Sequence, residues 1–428
     1  MSKLWHGFLF FLDEERMKFR ILLFVVLFAG MVKDVSAQQI SGSWTGTLEV
    51  GGSKLNIVFN FLKNTTGCDV CTMDSPDQSV KGIRTSLSYF SEDSLSLSVP
   101  VVGITYSGRL RNGVIQGVFE QNGMKFPLNL TMGHPVYKRP QTPQPPFPYV
   151  MEDVTFENIT AHVTLAGTLT YPVGYQAGDR VPVALMVTGS GPQNRDSELY
   201  EHKTFLVIAD FLARHGIATL RYDDRAVGKS TGHHQAANSR EVADDAQAGI
   251  NILRLMGSFS KVGIVGHSEG ANVAFMLGAQ HLIDFAVCMA PIGLKGIDGL
   301  YEQGRKIAEA SGQTYPMTKE QLRDYLLKQQ NSWFTYFLDY DPAEDVRRTT
   351  CPVFLLNGDR DMQVIASSSV PAIIQNLPKN EKSSVKIYPG LNHLFQPCTT
   401  GLPTEYSTIE QTISPEVLQD MTNWILAL

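Results

Sequence analysis

Apolar and polar positions keep one rhythm through the first part of the chain and another through the rest. Over residues 40–133 the rhythm has period two. Leu95-Ser96-Leu97-Ser98-Val99 alternates strictly, as a strand with one buried face does. Residues 44–50, the pair Gly51-Gly52 and residues 55–59 read as a hairpin with a two-residue turn. Asn112-Gly113 and Asn122-Gly123 mark two more. No helical periodicity of useful length interrupts them, so an antiparallel sheet or small open barrel of seven or eight strands is expected over residues 38–133. Six prolines then fall within residues 134–148. Such a run cannot join a sheet interior and behaves as an extended spacer, which sets a linker at 134–149.

Beyond the linker, over residues 150–428, the apolar positions come in unbroken runs. Val183-Ala184-Leu185-Met186-Val187 suits a strand covered on both faces. A helical stretch near 202–215, a strand at 217–222, a helix near 238–256 and a strand at 262–266 follow. Further strands fit at 284–289, 352–357 and 384–388, and Ser414-Pro415 opens a last helix. This order predicts a mostly parallel sheet with helices on both faces. Some sixty residues separate the strands at 284–289 and 352–357, too many for a simple crossover. Helices near 299–311 and 318–329, the second opened by a Thr318/Gln321 capping box, and the aromatics Trp333, Phe334, Tyr336 and Phe337 make residues 292–347 an expected lid.

The N-terminus has a different character. Lys18 and Arg20 precede an apolar run from Ile21 to Val32, which closes on Val35-Ser36-Ala37. Twelve apolar residues are too few to span a bilayer, so 1–37 reads as an export signal with an N-terminal extension. The mature protein is then periplasmic or extracellular, with no transmembrane span after cleavage. The full chain of 428 residues is 43% hydrophobic and 18% charged, which excludes a disordered polymer. A net charge of −6 without any basic block makes nucleic acid an improbable partner. Five cysteines are too sparse for a disulfide miniprotein. Cys68 and Cys71 form a CxxC, but no second pair or nearby histidine cluster completes a zinc site. A local disulfide or two free thiols is the expectation there, and no metal or organic cofactor is implied anywhere.

Chemistry enters at Gly266-His267-Ser268-Glu269-Gly270, between a buried strand and a helix. A serine on a sharp strand-to-helix turn has its hydroxyl pushed out over the sheet, and the flanking glycines allow close backbone approach. Serine needs a base. His393 follows the last strand, on a loop able to return to the carboxyl edge of the sheet. His267 is adjacent to Ser268 and is poorly placed to face its hydroxyl, and His233 and His234 lie in a polar loop. The imidazole in turn needs an acid, and the strand at 352–357 runs into both Asp359 and Asp361.

The order Ser268, acid, His393 together with five local motifs resembles a bacterial α/β-hydrolase of the esterase and serine-aminopeptidase-like group. The matching stretches are 188–193 (TGSGPQ), 221–230 (RYDDRAVGKS), 266–270 (GHSEG), Gly358-x-x-Asp361-x-x-Val364 and Gly390-x-x-His393. The chain departs from the usual pattern with Thr188 before Gly189 and with Ala226 where related chains carry glycine. The resemblance implies the α/β-hydrolase fold, with Asp361 rather than Asp359 as the acid. It also implies an oxyanion hole made from the backbone N–H of Glu269 and a second donor at Ser190. The expected activity is cleavage of small carboxylic esters through an acyl-enzyme, in the manner of a carboxylesterase. A peptidase using the same triad on short peptides is the nearest alternative, with Glu269 or Glu302 available to hold a free amine. A non-catalytic binding protein is a third reading.

Overall fold

The computed structural model describes residues 40–428, apart from 51–52, 64–68, 77–79, 92, 122, 136 and 234–236. The expected leader at 1–37, Cys68 and His234 lie outside the described residues. The chain divides into two compact units between Tyr137 and Lys138.

The first unit is built from β1 (Gly42–Val50), β2 (Ser53–Lys63), β3 (Asp69–Ser75), β4 (Val80–Arg84), β5 (Ser86–Phe90), β6 (Ser94–Val99), β7 (Ile104–Arg111), β8 (Val114–Gln121) and β9 (Met124–Met132). They form one antiparallel sheet in the order β4-β3-β2-β1-β9-β8-β7-β6-β5. The two edge strands, β4 and β5, are consecutive and separated by Thr85 alone. Nine strands laid flat at about 4.8 Å spacing would hold those edges roughly 38 Å apart, whereas two residues of chain span about 7 Å at most. The sheet is therefore curled until its edges meet. Thr85 marks the bend, with its N–H and its hydroxyl both donating to the carbonyl of Cys71 in β3. The expectation of seven or eight strands undercounts because one stretch, 80–90, serves both edges.

The inward positions are apolar and fill the barrel. Trp44, Phe59, Phe61, Leu97, Tyr106 and Phe119 are among the residues buried there. Phe59 and Tyr106 stack at 5.2 Å. The Tyr106 hydroxyl reaches the carbonyl of Leu128 at 3.1 Å by crossing over Gly117, where an added Cβ would meet it at 2.3 Å. Cys71 is buried in β3 as a free thiol.

The second unit begins with residues tied to it by side chains. The Arg139 guanidinium donates to the carbonyls of Tyr200, Ser407 and Ile409, and the Gln141 side chain bonds residues 412 and 413. The elements that follow are β10 (Met151–Asn158), β11 (Val163–Thr170), β12 (Val181–Val187), a two-residue ladder of β13 (Glu198–Leu199) and β14 (His202–Lys203), α1 (Thr204–Arg214), β15 (Ala218–Tyr222), α2 (Ser239–Met256), β16 (Phe259–His267), α3 (Glu269–Gly278) and β17 (Ala286–Met289). The insertion contributes α4 (Gly296–Ala310), α5 (Lys319–Leu327), α6 (Ser332–Phe337) and α7 (Ala343–Arg348). The chain closes with β18 (Val353–Gly358), α8 (Ala366–Asn376), β19 (Ser384–Tyr388) and α9 (Pro415–Leu426). The Thr318/Gln321 capping box opens α5 as expected.

The large sheet runs β10-β11-β15-β12-β16-β17-β18-β19. Pairing is antiparallel from β10 through β11 to β15 and parallel from there on. Alternate residues of β12 enter different cores. Val183, Leu185 and Val187 join the core that includes α2 and α3, while Ala184 and Met186 join the one with α1 and α9. This double burial is why its sequence reads as one apolar run. The carboxyl ends of the parallel strands then converge on one edge, where loops carry the polar residues described next.

Gly117→Ala should lower stability by about 1–3 kcal/mol, because the barrel core has no room for the methyl beside the Tyr106 hydroxyl. The urea midpoint of the full chain measures it, and an unchanged midpoint would mean that the barrel interior yields.

Candidate active site

Ser268 lies between β16 and α3 with φ 54° and ψ −120°, a left-handed backbone that a serine adopts only when its surroundings force it. The force is steric. A Cβ at Gly266 would sit 2.2 Å from the carbonyl oxygen of Gly270, and one at Gly270 would sit 2.1 Å from that of Val187. Only glycine at both positions lets the strand and helix approach so closely. The Ser268 N–H donates to the Met289 carbonyl of the neighbouring strand at 2.8 Å, which fixes the turn to the sheet.

The predicted base and acid meet. His393 Nδ1 lies 2.7 Å from Asp361 Oδ2, and both residues are buried. The other carboxylate oxygen, Oδ1, accepts the N–H groups of Gln363 and Val364 at 2.8 Å each, so the acid cannot rotate away. Asp359 does something else. Its Oδ1 accepts the N–H of Gly390 at 2.6 Å, bracing the loop that carries the base. Within that loop Asn392 Oδ1 accepts the N–H groups of Leu394 and Gln396.

His267 has a role that adjacency to Ser268 concealed. Its ring lies 4.6 Å from the His393 ring, and its Nε2–H donates to the His393 carbonyl at 2.8 Å. Burial first, and the neighbouring imidazole second, push its pKa down to about 3, so the ring stays neutral. This contact brings the His393 loop against the residue preceding Ser268. Among the described residues no hydrogen bond joins Ser268 Oγ to His393 Nε2. Such bonds are commonly long without substrate and tighten when it binds.

The loop after β12 is braced by two consecutive aspartates that sequence reasoning left without a role. Asp224 accepts the Thr188 hydroxyl at 2.9 Å and the Gln193 N–H at 2.8 Å, holding both ends of the 188–193 turn. Burial raises its pKa to about 7. Asp223 faces the other way, pairing with the Arg195 guanidinium through Nη2 at 2.7 Å and Nε at 3.1 Å. The turn passes close over the elbow, since a Cβ on Gly189 would meet the Ser268 Cβ at 3.2 Å. Ser190 is in this turn, and its hydroxyl favours the charged form of the nearby Glu269 carboxyl. Glu269 is the first residue of α3, beside Ser268. Thr188, the departure from the usual motif, therefore supplies a bond to Asp224. Ala226 has φ 62°, a conformation glycine would adopt more easily. His233 is exposed and takes no part in these contacts.

Among the described residues no group of three or more His, Cys, Asp or Glu could hold a metal ion. No described helix is long and apolar enough to cross a membrane.

Asp361→Asn should lower kcat by about 10⁴-fold by spoiling the imidazole tautomer, while Asp359→Asn should cost less than about tenfold. Steady-state turnover of the two variants decides it, and the reverse ranking would transfer the acid to Asp359. A second prediction concerns pH. An unfolded chain protonates His267 near pH 6.5, whereas the folded chain resists until about 3. Stability from this group is therefore present above pH 6.5 and is lost as pH falls towards 3, by about 2–3 kcal/mol at pH 4.5. His267→Gln keeps an N–H for the His393 carbonyl but does not titrate. Its urea midpoint should fall less than that of the wild type between pH 7.5 and 4.5.

Residues 199–342 match the family described as serine aminopeptidase, S33. Esterase EstD of Thermotoga maritima is 25% identical over 329 residues, covering 74% of each chain. Among solved structures, Est1E from Butyrivibrio proteoclasticus with bound ferulic acid is 17% identical, with a TM-score of 0.46, and covers 64% of this chain and all of its own. The Pyrococcus furiosus esterase Pf2001 is 19% identical, with a TM-score of 0.43, and covers 65% of this chain and 93% of its own. The second unit has the α/β-hydrolase fold, carries the serine aminopeptidase S33 match across its centre and has an esterase among its relatives.

Proposed function

We propose that the protein is a serine hydrolase that cleaves small carboxylic esters through an acyl-enzyme. The observation that carries this reading is the 2.7 Å contact between His393 Nδ1 and Asp361, on a loop tied through His267 to the elbow of Ser268. Asp361 holds the Nδ1–H tautomer, which leaves Nε2 free to accept the Ser268 proton. Ser268 Oγ then attacks the ester carbonyl. The developing oxyanion is received by the backbone N–H groups of Glu269 and Ser190, each such donor contributing about 3 kcal/mol to the transition state. His393 passes the proton to the departing alcohol, and afterwards takes one from the water that cleaves the acyl-enzyme.

The choice between ester and peptide turns on acids that would hold a substrate amine. The Glu269 carboxyl is buried and accepts from Ser239 and Trp333. Glu302, on α4, accepts the Ser368 hydroxyl at 2.6 Å. With both carboxylates engaged by neutral donors, the ester reading is favoured over an aminopeptidase. The esterase relative supports the same choice. Export, carried by the residue pattern at 1–37, would place this activity in the periplasm or outside the cell.

Hydrolysis of p-nitrophenyl acetate, butyrate and octanoate should be measurable and should fall by at least about 10⁴-fold in Ser268→Ala. Cleavage of aminoacyl p-nitroanilides but of none of the esters would overturn the ester reading in favour of a peptidase.

A further inference from the structure

The Glu269 carboxyl has no part in the mechanism above, yet it is the most heavily engaged side chain at the elbow. Trp333 Nε1 donates to both its oxygens, at 2.8 and 2.9 Å. The Ser239 hydroxyl donates to Oε1 over a short contact. These donors come from two separate stretches. Ser239 opens α2, and Trp333 is in α6 of the insertion. Glu269, Ser239 and Trp333 are all almost fully buried. No ion pair with Lys or Arg is formed by Glu269 among the described residues. Burial raises its pKa.

Nucleophilic chemistry requires only a backbone N–H at this position, and a buried acid there is costly unless it is fully hydrogen-bonded. What the carboxyl supplies is a common anchor. The residue whose N–H would receive the oxyanion is tied, by its side chain, to the start of α2 and to the aromatic segment of the insertion. Trp333 is stacked on Phe337 at 4.3 Å, so the pull on its indole seats the whole of α6.

We propose that Glu269 is a positioning residue that couples the seating of the α6 segment to the alignment of its own backbone N–H, the oxyanion donor beside Ser268. This rests on the reading of Ser268 as the nucleophile, and does not depend on whether the substrate is an ester or a peptide. Glu269→Gln keeps the volume but turns one acceptor oxygen into a donor, leaving Ser239 and Trp333 one acceptor oxygen between them. Trp333→Phe removes the indole N–H and keeps an aromatic ring on Phe337.

The test is the rate at which a fluorophosphonate labels Ser268, a reaction that uses the elbow and oxyanion hole without a natural substrate. Glu269→Gln should slow labelling by about 10–100-fold, and Trp333→Phe by about 3–10-fold. The double variant should be no slower than Glu269→Gln alone, because both changes break the same link. With p-nitrophenyl esters, kcat should fall for acetate and octanoate alike, while KM should rise for octanoate only. If Glu269→Gln does not fold, Ser239→Ala and Trp333→Phe carry the test, and each should slow labelling several-fold with additivity lost in the pair. Wild-type labelling rates in the folded variants, or fully additive losses, would overturn the coupling while leaving Ser268 as the nucleophile. A wild-type protein that labels elsewhere or not at all would remove the reading of the site and the coupling together.

Discussion

The backbone of Ser268 is the constraint around which the second unit is arranged. A non-glycine residue held at φ 54° and ψ −120° costs on the order of 1–3 kcal/mol. It persists because every alternative is blocked by packing. Val187, Gly266 and Gly270 bring β12, β16 and α3 so close that no side chain fits at the glycines. The N–H of Ser268 is already bonded to β17. Parallel strands buried on both faces supply the rigidity, and the strained turn points its hydroxyl off their carboxyl edge.

Around that turn, each loop is held by a carboxyl as well as by apolar contact. Asp361 fixes the imidazole and its own loop, Asp224 closes the turn at 188–193, Asp223 clamps Arg195, and Glu269 gathers Ser239 and Trp333. Val364, Leu391 and Phe395 pack into the core, but apolar contact is not directional and does not by itself orient these loops. A buried carboxyl can order them because it accepts several directional bonds at once, and it is expensive to leave any of them unmade. Arg225 repeats the pattern further out, bonding Asp245 through Nε and Nη2 and so joining the loop after β15 to α2.

Parts of this were legible in the residue order and parts were not. The 183–187 run, the glycines of the elbow and the capping box before α5 are local signals, and each forms the element its residues favour. By position alone Asp359 and Asp361 are equivalent, since either could lie at the sheet edge, and only the resemblance favoured Asp361. The fold separates them, since one oxygen of Asp361 reaches Nδ1 of His393 while Asp359 turns to the backbone of Gly390. His267 was set aside because a neighbour of the nucleophile cannot face its hydroxyl. The contact it makes, to a carbonyl 126 positions away, has no signature in the sequence. The choice between an open sheet and a barrel in the first unit was left open, because period-two alternation reports which face is buried and not which edges meet.

By itself, the sequence determined the order of strands and helices, the double burial of the parallel strands, and the place of a serine on a strand-to-helix turn. These follow from side-chain periodicity and from glycine sterics, which act over a few residues. Tertiary structure alone decided what Asp359 bonds instead of the histidine, what holds the 188–193 turn, and that Glu269 turns inward towards Trp333. Those outcomes depend on hydrogen bonds between residues far apart in the chain. Such bonds are directional and short-ranged, so their partners exist only once the sheet has brought the loops to one edge.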